Sequence, residues 1–146
     1  MRAVIQRVNY AKLSVDGNVV SQIDKGLLIL IGIKDSDTEK EVKYFADKIS
    51  KLRIFEDENG KINLSANDVG AKYLLVSNFT LYGNTKGTNR PDFIKAARPE
   101  KAEPLYEMCL KLLNEKVPTL SGIFGAEMFI DMQADGPITL IMDSEN

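Results

Sequence analysis

From Arg2 to Val8 the chain alternates between apolar and polar residues with the period of a half-buried strand. Residues 12 to 23 predict two short strands around the turn Asp16-Gly17-Asn18, a hairpin signal. Gly26 to Ile33 is an unbroken apolar run, too short and too β-branched for a good helix, and it predicts a strand buried on both faces at the centre of a sheet. Ser36-Asp37-Thr38-Glu39 then has the Ser-x-x-Glu spacing of a capping box, and Val42, Phe45, Ile49 and Leu52 follow at helical spacing. An amphipathic helix of about four turns is expected there.

Past the turn at Asn59-Gly60, a short strand near Ile62-Asn63-Leu64 leads to a second strongly apolar strand, Tyr73 to Phe79, which ends in polar residues. Tyr82 to Pro91 is rich in Gly, Asn and Thr without apolar periodicity, and reads as a loop long enough to carry function. A second helix is expected from near Pro104, with Leu105, Cys109 and Leu112 inward. Strands over 125 to 132 and 137 to 142 close the chain. The expected fold class is α+β: an antiparallel barrel-like sheet with two main helices, in one domain over residues 1–146.

Composition narrows the chemistry. The chain has 146 residues, room for one sizeable core, and no apolar stretch of the roughly 20 residues that spans a bilayer. The opening residues go straight into strand alternation, without the continuous apolar core of a secretory signal, so the cytoplasm is the expected compartment and no membrane partner is expected. Cys109 is the lone cysteine and sits among Met108, Leu110, Leu112 and Leu113, which suits a buried structural thiol rather than a nucleophile. Histidine is absent, and with it the Ser-His and Cys-His nucleophile pairs and the usual zinc sites; neither a metal nor a cofactor is expected.

The net charge of -2 argues against a nucleic-acid coat over the whole surface. Between residues 82 and 101, however, Lys86, Arg90, Lys95, Arg98 and Lys101 face only Asp92 and Glu100. Lys86, Arg90 and Lys95 are the candidates for phosphate contact, against the alternative of a solvated loop. Ser77-Asn78-Phe79-Thr80 places two hydroxyls and a carboxamide at the end of a buried strand, where they either line a pocket or satisfy nearby backbone groups. Asp135-Gly136-Pro137-Ile138-Thr139 reads first as a turn before a strand. Glu56-Asp57-Glu58 beside the Asn59-Gly60 turn suits solvation better than acid-base work.

Taken in order, these segments resemble the D-aminoacyl-tRNA deacylases from end to end. The likeness runs through Met1-Arg2-Ala3-Val4-Ile5-Gln6-Arg7-Val8, Leu52-Arg53-Ile54-Phe55, Leu75-Val76-Ser77-Asn78-Phe79-Thr80-Leu81, Arg90-Pro91, Phe124-Gly125 and Asp135-Gly136-Pro137-Ile138-Thr139. The resemblance implies a homodimeric hydrolase of the ester between a D-amino acid and the 3′ end of tRNA, with tRNA and not DNA as partner. Ser77 and Thr80 would stand at the catalytic positions, and Asn78, Phe79, Phe124, Gly136, Pro137 and Thr139 around the substrate. Gly136-Pro137, joined by a cis bond, would be a chirality filter that reaches into the partner subunit's pocket. It would reject L-aminoacyl esters and tolerate glycyl-tRNA. An aminoacyl ester is already activated, so fixed backbone N–H groups and the ribose 2′-hydroxyl could supply the chemistry without a side-chain base. Nothing in the sequence would activate Thr80 as a nucleophile. The chain departs from the family at Asn78, where Gln is usual, and at Ala134, where Asn is usual. Two other readings stay open: a nucleic-acid-binding homologue with impaired catalysis, which those departures would suit, and a related editing domain for a mischarged L-amino acid.

Overall fold

The computed structural model describes residues 1–145 and has the α+β, barrel-like architecture expected. Its first strand, β1 (Arg2–Val15), is continuous where two strands were expected. Residues 9 and 10, between the two expected strands, are satisfied across the sheet: Asn9 donates to Gln133 Oε1 at 2.7 Å and the Tyr10 hydroxyl lies 3.3 Å from Asp131. One edge of β1 carries β8 (Phe129–Asp143) along its length. The other carries β3 (Gly26–Gly32) opposite residues 2–8, and β2 (Asn18–Ile23) opposite residues 11–15.

Beyond β3 lie β6 (Lys72–Ser77) and β7 (Thr119–Ser121), both parallel to their neighbours, so the sheet is mixed rather than antiparallel throughout. Parallel neighbours require long crossovers, and the two main helices supply them. The first crossover contains α1 (Glu39–Ser50), the small hairpin of β4 (Phe55–Glu56) with β5 (Ile62–Leu64), and the short helix α2 (Ala66–Val69). The second contains the loop from residue 83 and α3 (Pro99–Asn114). Ser21 Oγ donates to the Ser121 carbonyl at 2.6 Å, which draws β2 against β7 and curls the sheet nearly into a barrel.

Two cores follow from the strand period. Leu27, Ile29, Ile31, Tyr73 and Leu75 face the helices, meeting Phe45, Ile49, Tyr106, Cys109 and Leu113. The intervening Leu28, Leu74 and Val76 face the barrel interior with Val8, Leu13 and Ile23. That is why β3 is apolar at every position.

Several local expectations are corrected. The capping box of α1 is Thr38 with Glu41, not Ser36 with Glu39: Glu41 accepts from Thr38 N–H at 2.7 Å, and Lys40 N–H donates to Thr38 Oγ1 at 3.3 Å. Helix α3 begins at Pro99, which takes the first-turn position, so Pro104 lies inside the helix. Its buried face is Ala102, Tyr106, Cys109 and Leu113, with Leu105 and Leu112 half-buried at the flanks. The two closing strands are one, β8, which starts at Phe129 and carries an irregularity in its middle.

Candidate active site

Beside the carboxyl end of β6 lies a cavity of about 640 Å³. Leu30, Val76, Ile130, Phe93, Phe124 and Met128 give it a largely apolar lining, with Ala97 and Pro99 beside them. Phe124 packs against the Tyr106 ring at 5.8 Å, and the Tyr106 hydroxyl is fixed on the Leu75 carbonyl at 2.9 Å. Burial pushes the Tyr106 phenol well above its usual range, so it stays a donor. Arg98 is the one ionisable side chain in the lining, and a guanidinium does not serve as a base.

Ser77, Asn78 and Phe79 form the polar rim of this cavity, in the order in which the chain leaves β6 and enters a 3₁₀ turn, Phe79–Tyr82. Asn78 caps that turn. Its N–H donates to the Ile31 carbonyl at 2.8 Å, and its Oδ1 accepts from Thr80 N–H at 3.2 Å and from the Thr80 hydroxyl. The carboxamide oxygen is therefore committed to the loop, leaving Nδ2 to face a ligand. Phe79 N–H, the first of the turn, has no partner among the described residues and is a free backbone donor at the rim. Thr80 is exposed, does not line the cavity, and among the described residues has no acid or base as a hydrogen-bond partner.

Gly136, Pro137 and Thr139 do not line the cavity of their own chain. Gln6 pairs with Thr139 and Val8 with Ala134, so the four residues 135–138 stand opposite Arg7 alone and bulge out of the sheet. Gly136 has φ +116°, and a Cβ there would meet Ile138 Cγ1 at 2.9 Å and Ile138 N at 3.0 Å, so the position requires glycine. The Gly136-Pro137 bond is cis. Arg7, only 4% exposed, anchors the bulge. Its Nη1 donates to the Ile54 carbonyl at 2.9 Å, its Nη2 lies 3.5 Å from Glu56, and its Nε lies 3.0 Å from Asp135 without alignment for a hydrogen bond. The role of Arg7 was not legible in the sequence, because its partners arrive from two segments far from it and from each other in the chain.

The basic loop is open. Lys86, Arg90 and Lys95 are exposed, and among the described residues none has a carboxylate within ion-pair distance. An Asn84–Asp92 bridge closes the base of the loop, and the Phe93 ring meets Phe79 edge-on at 5.2 Å. Phe93 and Met128 line the cavity although sequence reasoning had not singled them out; an aromatic inside an otherwise polar, basic loop was the available signal for Phe93.

Comparison with known proteins identifies the family. The family model described as D-Tyr-tRNA(Tyr) deacylase matches residues 4–143. A D-aminoacyl-tRNA deacylase of Brevibacillus brevis is 54% identical over 145 residues, covering 99% of this chain and 100% of that protein. One of Fusobacterium nucleatum is 51% identical over 150 residues, covering 100% and 97%. Among solved structures, one titled c-Myc DNA Unwinding Element Binding Protein superposes with a TM-score of 0.93 at 40% identity, covering 99% of each chain. A second, titled as a probable eukaryotic D-amino acid tRNA deacylase, gives 0.81 at 17% identity over 97% of each, a likeness of fold.

Proposed function

Starting from the fact that the chain belongs to the D-Tyr-tRNA(Tyr) deacylase family, and is thus a hydrolase of the D-aminoacyl-tRNA ester, we propose how its site divides the work. The apolar cavity takes the terminal adenosine and the Ser77–Phe79 rim holds the ester carbonyl. Phe79 N–H is aimed at the oxyanion that develops when water attacks. The observation that carries this reading is a cavity with a free backbone donor at its rim and no side-chain base in its lining. Preorganised N–H donors stabilise a developing oxyanion, and one such donor is typically worth about 100- to 1,000-fold in rate. With an activated ester as substrate, the ribose 2′-hydroxyl can assist water, and Thr80 stays a cap partner rather than a nucleophile.

Gly136-Pro137 acts as the filter from the partner subunit, and glycyl-tRNA is tolerated for want of a side chain to reject. Support for a dimer comes from β8. Among the strands it pairs with β1 alone, and it exposes Phe129 (63%) and Ile141 (74%), an apolar sheet edge that a second copy would cover. Lys86, Arg90 and Lys95 contact tRNA phosphates. No helix among the described residues is long and apolar enough to cross a membrane, and we place the enzyme in the cytoplasm, with its substrate. The DNA-binding title belongs to the solved relative; for this chain we propose tRNA as the nucleic-acid partner.

The test is deacylation of D- and L-tyrosyl-tRNA by the purified protein, with sedimentation alongside. Release of D-tyrosine with L rejected, from a species of twice 16.3 kDa, is expected. Tight tRNA or duplex DNA binding without release would favour the binding homologue, and release of an L-amino acid would favour the L-editing domain.

A further inference from the structure

Behind one wall of the apolar cavity lies a second, polar cavity of about 450 Å³. The same three segments line both. Ile33 faces the first cavity and Lys34 the second, Phe79 the first and Tyr82 the second, Ala96 the first and Lys95 the second. Backbone bonds hold these segments in register: Ala97 N–H donates to the Ile33 carbonyl at 2.9 Å, and Asp35 N–H to the Lys95 carbonyl at 3.3 Å.

The lining of the second cavity carries more cations than carboxylates. Arg2, Lys34 and Lys95 bring three cations to its lining, against the carboxylates of Asp35 and Glu145. Arg2 is fixed, with Nε on Asp143 at 2.8 Å, Nη1 on the Leu81 carbonyl at 2.7 Å, and its guanidinium 4.9 Å from the centre of the Tyr82 ring. Tyr82 is 4% exposed, and its hydroxyl has no hydrogen-bond partner among the described residues. Buried hydroxyls are rarely left unpaired, and this one belongs to a residue that lines the cavity, so a small side-chain shift would offer it as a donor. Lys34 is paired to Glu145, whose side chain is 63% exposed, an arrangement that an incoming anion can displace at small cost.

We propose that this second cavity binds a backbone phosphate of the tRNA 3′ strand, adjacent to the terminal nucleoside in the apolar cavity, with Lys34, Lys95 and the Tyr82 hydroxyl as its ligands. The inference rests on the reading that the apolar cavity holds the nucleoside. A nucleic-acid strand carries a phosphate at every step, so two cavities that share one wall suit successive groups of one strand. The enzyme then grips its substrate upstream of the ester, and an aminoacyl nucleoside without phosphates should be a poorer substrate through KM.

Lys34→Gln, Tyr82→Phe and Glu145→Gln separate this from a merely structural role. Each is assayed on D-tyrosyl-tRNA and on the D-tyrosyl ester of adenosine, which has no phosphate. Lys34→Gln should raise KM for the tRNA ester about tenfold, the scale of one charge-assisted contact, while changing the nucleoside ester less than about twofold. It should also reduce the salt slope of the tRNA reaction by about 1. Tyr82→Phe should show a smaller split of the same sign. Glu145→Gln should lower KM for the tRNA ester by freeing Lys34. Equal changes on both esters in Lys34→Gln, or a raised KM in Glu145→Gln, would overturn the proposal. If the unaltered enzyme hydrolyses the tRNA ester but not the nucleoside ester, the reading of the apolar cavity falls, and this inference with it.

Discussion

Gly136→Ala asks the most of the proposed filter. The native φ of +116° lies in a region that L-residues adopt only at a cost of roughly 1–3 kcal/mol. The new Cβ would stand 2.9 Å from Ile138 Cγ1 and 3.0 Å from Ile138 N, and the second of these is backbone that cannot rotate away. Overpacking of that kind costs typically about 1–3 kcal/mol more if the backbone holds. Residues 135–138 are largely solvent-facing and can shift to relieve part of the clash, against the resistance of Asp135 beside Arg7 and of Ile138 packed on the helix-side core. The expected stability loss is thus about 1–3 kcal/mol in urea unfolding, with the fold retained. The functional loss should be larger, because relaxation moves the filter, and a displacement of about 1 Å can cost on the order of 100-fold. Single-turnover deacylation of D- and L-tyrosyl-tRNA is the assay. The D-over-L ratio should fall by about tenfold or more, with L-tyrosine released where none was before. A destabilised variant with an unchanged ratio would refute the assignment of selectivity to this bulge.

Three further outcomes follow from the geometry. Arg7→Met should lower stability by about 2 kcal/mol in urea, less than the loss of a fully buried pair because Glu56 and Asp135 remain partly solvated; a change within about 0.5 kcal/mol would mean the bulge is anchored elsewhere. Thr38→Ala should cost about 1 kcal/mol at pH 7. Hydrogen bonds from the Thr38 hydroxyl and N–H hold the Glu41 carboxyl below its usual range, so its contribution is present above the unfolded pKa and fades as pH falls through the folded one. Denaturation curves at pH 7 and pH 3 should therefore show the cost of Thr38→Ala shrinking in acid, and a constant cost would remove Glu41 from the account. Burial pushes the Cys109 thiol up to about 12, so native protein should resist iodoacetamide at pH 8 and react only after unfolding; rapid native labelling would contradict its place under α3.

Much of the fold was legible because burial imposes periodicity. The unbroken run of β3 reports its two cores directly, and the spacing Val42, Phe45, Ile49 reports the face of α1. What misled was local chemistry that tertiary contacts override. Ser36 offered the capping spacing, but Asp37 is buried and accepts from Lys34 N–H at 2.8 Å, which turns the chain before the helix and leaves the cap to Thr38. Pro104 looked like a helix start because a proline inside a helix lacks an N–H, yet Pro99 fills that role five residues earlier. The parallel pairing of β6 could not be read from either strand alone, since period and composition carry no direction. In the site, Ser77, Asn78, Phe79 and Phe124 were found at the cavity and Gly136-Pro137 was found away from it. Sequence order could not reveal that Asn78 Oδ1 is spent on Thr80, because the cap depends on the turn that follows.

A steric filter rejects a wrong substrate only as strongly as its own backbone resists displacement. A loose bulge on an exposed strand would move aside for an L side chain at little cost, and selectivity would vanish. On the reading proposed here, rigidity at Gly136-Pro137 is borrowed from the body of the protein. Arg7 is nearly fully buried in β1, the strand that pairs with β2, β3 and β8, and it reaches Ile54 and Glu56 on one side and Asp135 on the other. Shifting the bulge would strip a charge partner from a nearly buried guanidinium, a penalty that a surface turn alone could not impose. On that reading, catalysis and selection are separated in the chain, and a second copy brings them together. The proposed rim at Ser77–Phe79 would then be shaped for the ester without regard to handedness, while the β1–β8 register would set how firmly the wrong hand is refused.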